Sequence, residues 1–314
     1  MDGTVERELK LSAPDALDEL DAPQLDENSG IDVVVRAAFA ASVEVLVRED
    51  AMLRLHAEEE AVHRARVSVR RLRSDLRTFL PLLDEAWACG LRERSRWLQD
   101  GFSAARDADV LLARLRRQSA ALPEPDRVPA EEALAPLRAA REEAYQRLAA
   151  MLREPRYAAL LQDLVDAAKR PRFNARASDA ARDLIPEIVA DAWSTLRKRV
   201  RARSQPPADR ELHGIRIAAK RVRYAVEAVA PVAGRRARQL ARAVERLQTI
   251  LGDQHDAVAA CERLRVLSED DRGSAFVAGA LAALEHRAAC DGRETWLRAW
   301  REARREHRRF RRSM

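Results

Sequence analysis

The sequence predicts an all-α protein built from two helical bundles related by an internal pseudo-twofold duplication. Three observations carry this expectation. Only ten glycines and thirteen prolines interrupt 314 residues rich in Ala, Leu, Arg and Glu, all strong helix formers. Apolar residues recur at helical rather than alternating spacing, so essentially no sheet is expected. A segment carrying a row of basic residues also returns, in near copy, 150 residues later.

Residues 1–29 hold nine acids against two bases, with Pro14, Pro23, Asn28 and Ser29 among them, and read as an acidic mobile leader. Helical periodicity then begins. Helices are expected near 31–55, 59–85, 87–119, 129–153 and 155–169, with breaks suggested by Pro123, Pro125 and Pro129. The segment 170–178, with Pro171, Phe173 and Asn174, separates a first half (30–178) from a second (179–314). The second half reads as helices near 180–203, 208–230, 233–267, 272–290 and 293–312, with Pro206 and Pro207 as a stop.

Charge and cysteine content narrow the function classes. The net charge is +6, and because the leader carries −7, residues 30–314 carry +13. Four lysines leave 53 arginines, the side chain whose fork binds phosphate oxygens bidentately. A surplus of this size favours a polyanionic partner; an evenly solvated charged surface is the alternative, and clustering decides between them. Cys89, Cys261 and Cys290 are odd in number and far apart, so neither a disulfide framework nor a zinc site is indicated, and a reducing, cytoplasmic compartment fits. The most apolar stretch, 31–47, is interrupted by Arg36 and Glu44, so no membrane span is expected.

The basic rows are the most informative feature. At about 100° per residue, His63, Arg66, Arg70, Arg73 and Arg77 fall in one narrow arc of a helix, beside an apolar arc of Val62, Ala65, Val69, Leu72, Leu76 and Leu80. In the second copy His213, Arg216, Lys220 and Arg223 stand beside Leu212, Ile215, Ala219, Val222, Val226 and Val229. At about 1.5 Å rise per residue, Arg77 lies roughly 21 Å along the axis from His63, which suits an extended ligand better than a single phosphate. The alternative, a solvated face with helical acid partners, finds few acids near the first row. Binding of a metal by His63 with Glu59 or Glu60 is the other sharp reading, and the surrounding arginines oppose it.

The repeat extends beyond the rows. Leu98-Gln99 and Arg106-Asp107 return at an offset of 149 residues as Leu247-Gln248 and His255-Asp256. Asp107, Asp109, Asp256 and His255 read as salt-bridge or packing residues. Gly101 and Gly252, inside helical patterns, read as devices for close helix approach. Arg92, Arg94, Arg96, Arg106, Arg235, Arg236, Arg238 and the basic run 304–312 are secondary, mostly solvated bases.

The segments 62–73 (VHRARVSVRRLR), 104–110 (AARDADV) and 212–224 (LHGIRIAAKRVRY), followed by Leu251-Gly252 and Asp256, resemble the motifs of the CHAD domain, the conserved-histidine α-helical domain family, over about residues 30–310. That resemblance implies paired helical bundles whose basic residues line a basic central pore or groove and bind inorganic polyphosphate there without catalysis or cofactor, and association with polyphosphate granules. By position it assigns the ligand to His63, Arg66, Arg70 and Arg73 with His213, Arg216, Lys220 and Arg223; Arg77 meets Glu227 at its counterpart. Glu6-Arg7-Glu8-Leu9-Lys10 resembles the Glu-x-Glu-x-Lys opening strand of CYTH triphosphate tunnel enzymes, but thirty residues cannot close an eight-stranded tunnel.

Two other classes compete with polyphosphate binding. A nucleic-acid-binding helical protein has the charge but, at 4% aromatic residues, little to stack bases on. An accessory module of a triphosphate-hydrolysing enzyme would fit the leader. The residues themselves offer no catalytic carboxylate pair, nucleophile constellation or Gly-rich phosphate loop.

Overall fold

Helix follows the apolar periodicity almost element for element. The computed structural model describes residue 20 and residues 23–26, 28–55, 58–270 and 272–314. In it α1 spans Ile31–Leu55, α2 Glu59–Thr78, α3 Glu85–Ser119, α4 Glu124–Ala133, α5 Ala135–Leu152, α6 Pro155–Lys169, α7 Ala181–Ala202, α8 Asp209–Asp270 and α9 Arg272–Arg311. The fold is all-α, and among the described residues no strand occurs beyond an isolated bridge between Leu83 and Phe173. Most of the acidic leader, including the CYTH-like pentapeptide at residues 6–10, lies outside the described residues.

Several boundaries differ from the periodicity reading, each for a local reason. α2 stops at Thr78 because Pro81 has no N–H to continue the ladder, and the chain tightens into a 3-10 turn at Leu80–Leu82. α4 begins at Glu124, ahead of the expected 129, with Pro125 in the first turn where N–H groups have no helical partner. The break expected at 231–232 falls at Gly234, whose φ of 72° and ψ of −155° suit only a glycine, so α8 consists of two arms. No break occurs near 291: α9 runs straight through Gly292.

By mutual contact the chain divides into two units. The first comprises residues up to Arg106 together with Tyr145–Ala181; the second comprises Asp107–Ala144 and Arg182–Met314. Residues 107–144, which precede the 170–178 linker in chain order, thus make their contacts in the second unit.

In the first unit α1 packs on α2 and α6, burying Val34, Phe39 and Val43 of α1 with Val62, Val69, Leu72 and Leu76 of α2. Tyr157 of α6, almost fully buried, donates its hydroxyl to Asp50 at 2.6 Å. The 170–178 segment is pinned to the turn after α2: Asp84 N–H donates to the Arg172 carbonyl (2.8 Å), Asn174 N–H to the Leu82 carbonyl (3.0 Å), and the Asn174 amide to the carbonyls of Pro81 and Leu83. Gly101 lies against Met151, as its reading as a packing device anticipated.

The second unit is organised by α8 against α9. A separate apolar cluster joins Leu112, Leu115, Leu134 and Leu137 to Leu264 and Leu281. The fully buried Glu285 is held there by Arg114 at 2.7 Å. Among the described residues no helix is long and apolar enough to cross a membrane.

Gly292 is where α8 and α9 approach most revealingly: a Cβ there would sit 2.6 Å from Gln254 Cβ and 3.4 Å from its Cα. Gly292→Ala should therefore lower stability by about 0.5–2 kcal/mol despite the better helix propensity of alanine, since overpacking costs about 1–3 kcal/mol. Gly90, on α3 with open space around it, is the control. Gly90→Ala should raise stability by up to about 1 kcal/mol, and urea unfolding of both variants checks the pair.

Candidate functional site

Burial of the apolar arc decides where the cations stand. Val62, Ala65, Val69, Leu72 and Leu76 are fully buried, so their neighbours His63, Arg66, Arg70 and Arg73 lie half-buried at the margin, while Arg77 is exposed. On the first arm of α8 the arc Leu212, Ile215, Ala219, Val222, Val226 and Val229 is equally buried, and His213, Arg216, Lys220 and Arg223 are half-buried beside it. Leu80 is the exception to the expected stripe, since it falls in the 3-10 turn and is only partly buried.

Within the first unit, α3 folds back along α2. Arg66 Nε donates to Ser103 Oγ at 3.2 Å, and Arg73 Nη1 donates to the Arg92 carbonyl at 2.6 Å. Arg106 Nη1 donates to Glu59 Oε1 at 2.6 Å, beside His63. Burial first, then the Arg106 guanidinium, hold the His63 imidazole below its usual pKa; Arg66 and Arg70 act in the same sense, and Glu60 opposes them. Arg73 is likewise pushed down by burial and by Arg92.

Within the second unit the two arms of α8 fold back in the same manner. The rings of His213 and His255 lie 4.3 Å apart, Arg216 crosses over Gly252, and Arg223 Nη1 donates to Glu245 at 2.9 Å. His213 is held below its usual pKa by burial, then by His255, Arg216 and Lys220. His255 is lowered by burial, then Arg216, against Asp256 and Asp107. For Arg223 burial works downward, but Glu227, Tyr224 and Glu245 outweigh it and raise the pKa.

The pairs match position by position. His63 faces Arg106 where His213 faces His255, and Arg66 meets Ser103 where Arg216 crosses Gly252. Gly252 is consequently not a point of tight helix approach: a Cβ there would meet Arg216 Nε at an ordinary 3.6 Å. The ends of the rows differ. Arg73 stands near Arg92 and Arg96 as well as Glu93 and Asp100, whereas Arg223 has acids at Glu227 and Glu245. His63 Nδ1, His213 Nδ1 and Arg216 Nε are buried without a hydrogen-bond partner.

Arg106 and His255 lie outside the rows in sequence. Each stands next to a row histidine, and the 149-residue repeat that pairs them was the signal that assigns them together. Asp109 and Asp256 behave as salt-bridge residues, the first with Arg141 at 2.6 Å and the second 3.9 Å from Arg216. Among the described residues no group of three or more His, Cys, Asp or Glu is placed to hold a metal, and Glu59 is engaged by Arg106.

The model of the CHAD domain matches residues 37–265. This chain belongs to the CHAD domain family. Among curated proteins it is 32% identical over 242 residues to Uncharacterized protein Rv2226 of Mycobacterium tuberculosis strain H37Rv, and 31% identical over 242 residues to Uncharacterized protein MT2285 of strain CDC 1551. Both matches cover 73% of this chain but 44% of the relative, so this CHAD chain spans less than half the length of the proteins it resembles. Among solved structures, PptA from Streptomyces chartreusis superposes with a TM-score of 0.69 at 23% identity, covering 87% of this chain and 99% of that one. The CHAD domain from the plant Ricinus communis superposes with a TM-score of 0.68 at 24% identity, covering 88% and 95%. Both share the CHAD fold.

The lowered histidines give a pH signature. His63, His213 and His255 protonate in the folded chain below the unfolded value of 6.5, so the stability they contribute is full above about pH 6.5 and is lost as pH falls through their folded pKa values. Titration of the imidazole Cε1–H resonances should place all three below 6.5 in the ligand-free protein.

Proposed function

We propose that this chain binds inorganic polyphosphate, and binds it without transforming it, through His63, Arg66, Arg70, Arg73 and Arg77 of one row and His213, Arg216, Lys220 and Arg223 of the other. The matched register of the two rows, half-buried from His63 to Arg73 and from His213 to Arg223 and each backed by a second base beside its histidine, is the observation that carries this reading. A duplicated, linear array of cations suits a linear, repeating polyanion. Family membership supports it.

A basic pore or groove in which both rows engage one polymer is part of the proposal. Stoichiometry tests it: one long chain per protein, with affinity impaired by changes in either row. Each charge-assisted hydrogen bond contributes about 1.5–3 kcal/mol before ordering costs, so the replacement of Arg66, Arg73, Arg216 and Arg223 by Ala should abolish tight binding in calorimetry. Wild-type affinity should fall steeply with salt and resist competing DNA. Loss of polyphosphate to modest DNA would favour the nucleic-acid reading instead. Hydrolysis of triphosphate or polyphosphate by the purified protein would restore the enzymatic one.

Charge at the row ends predicts an asymmetry. Arg73→Ala should weaken polyphosphate more than Arg223→Ala, because Glu227 and Glu245 already offset Arg223. Glu245→Gln should tighten binding. Ligand phosphates favour the imidazolium, so affinity should rise as pH falls below about 6.5, with proton uptake at pH 6 visible as a buffer-dependent binding enthalpy. Affinity that is flat between pH 5.5 and 8 would exclude the histidines from the site.

A further inference from the structure

The second unit contains a site of different chemistry from the rows. Between α7 and the last turns of α9 lies a cavity of about 620 Å³, within the range of roughly 300–1,000 Å³ that small organic ligands occupy. Val189, Ala190 and Trp193 of α7 and Phe310 and Met314 at the other side give it an apolar wall. Met314 is partly exposed and unbranched, so this part of the wall can adapt to an occupant.

Polar groups converge on the same cavity. His307 is only 6% exposed, and its ring is stacked on Trp193 with centroids 4.0 Å apart and planes 4° from parallel. Its Nε2 is buried without a hydrogen-bond partner. Burial, with Arg311 and Arg197 beside it, pushes the imidazole down to about pKa 4, so the ring is neutral at physiological pH. Arg197 and Arg311 line the cavity, both are exposed, and among the described residues neither forms an ion pair. Glu187 is the one acid in the lining.

We infer that this cavity binds a small amphiphilic organic anion, a carboxylate or sulfonate on an apolar body, with its head at Arg197 and Arg311 and its body against Val189, Trp193 and Phe310. Two cations with no acid partner beside an apolar wall complement exactly that combination of charge and hydrocarbon. Polyphosphate carries no apolar surface and gains nothing from the wall, so this ligand class is separate from that of the rows.

The test uses the full chain and 8-anilinonaphthalene-1-sulfonate, followed by its fluorescence, with decanoate as competitor and 1-decanol as the neutral comparison. Saturable binding to one site is expected, displaced by decanoate at a concentration at least about tenfold lower than by decanol. Ala190 is exposed, so Ala190→Trp fills the cavity without entering the core. This variant should lower probe affinity at least about tenfold with an unchanged unfolding midpoint. Replacing Arg197 and Arg311 together by Ser should weaken decanoate about tenfold and leave decanol unaffected. Polyphosphate binding should be the same in both variants. Non-saturable probe binding, probe binding insensitive to Ala190→Trp, or decanol competing as well as decanoate would each overturn the inference.

Discussion

Burial of one apolar arc on α2 and on the first arm of α8 is the constraint from which the site follows. Once Val62, Val69, Leu72 and Leu76, or Leu212, Ile215, Val222 and Val226, are fixed in a core, the next arc of each helix has no choice of position. Its cations are held half out of water, with stems packed and head groups at the margin. The hydrophobic effect therefore orients charge that electrostatics alone would scatter. That is also why His63 and His213, each beside another base, resist protonation in the ligand-free protein.

The two rows agree in local geometry more closely than in charge. Arg66 crosses to Ser103 and Arg216 crosses to Gly252, so the same long side chain takes the same path over a small residue in both units. At the far end of the rows this agreement ends, with Arg92 and Arg96 balanced by Glu93 and Asp100 around Arg73 but Glu227 and Glu245 against Arg223. The charged neighbours diverge there while the frame that supports them stays alike.

The helices and the two rows were legible because both depend on spacing. A stripe at positions such as 62, 65, 69, 72 and 76 specifies a helix, its buried face and the residues beside that face in one pattern. What spacing did not convey was which residue stands across from which. Arg106 and His255 reach the histidines only because the helices double back, and the turn that sets this register depends on local features such as Pro81 and Gly234. The role of Gly292 is set in a related way. A glycine that ends a helix and one that admits a neighbouring helix look the same in a sequence, and only the position of Gln254 separates them. The Trp193 and His307 stack joins residues more than a hundred positions apart, without a periodic signal to link them.

The even helical spacing of the row cations has a consequence for how a polymer would leave such a surface. Cations recurring every turn would give a repeating ligand no single preferred register, so a chain displaced by one phosphate unit would recover most of its contacts. Bound states of this kind are many and nearly degenerate, and their multiplicity offsets part of the entropy lost on capture. Departure would then proceed from the ends, one contact at a time, and residence time would depend on polymer length far more steeply than the rate of first encounter.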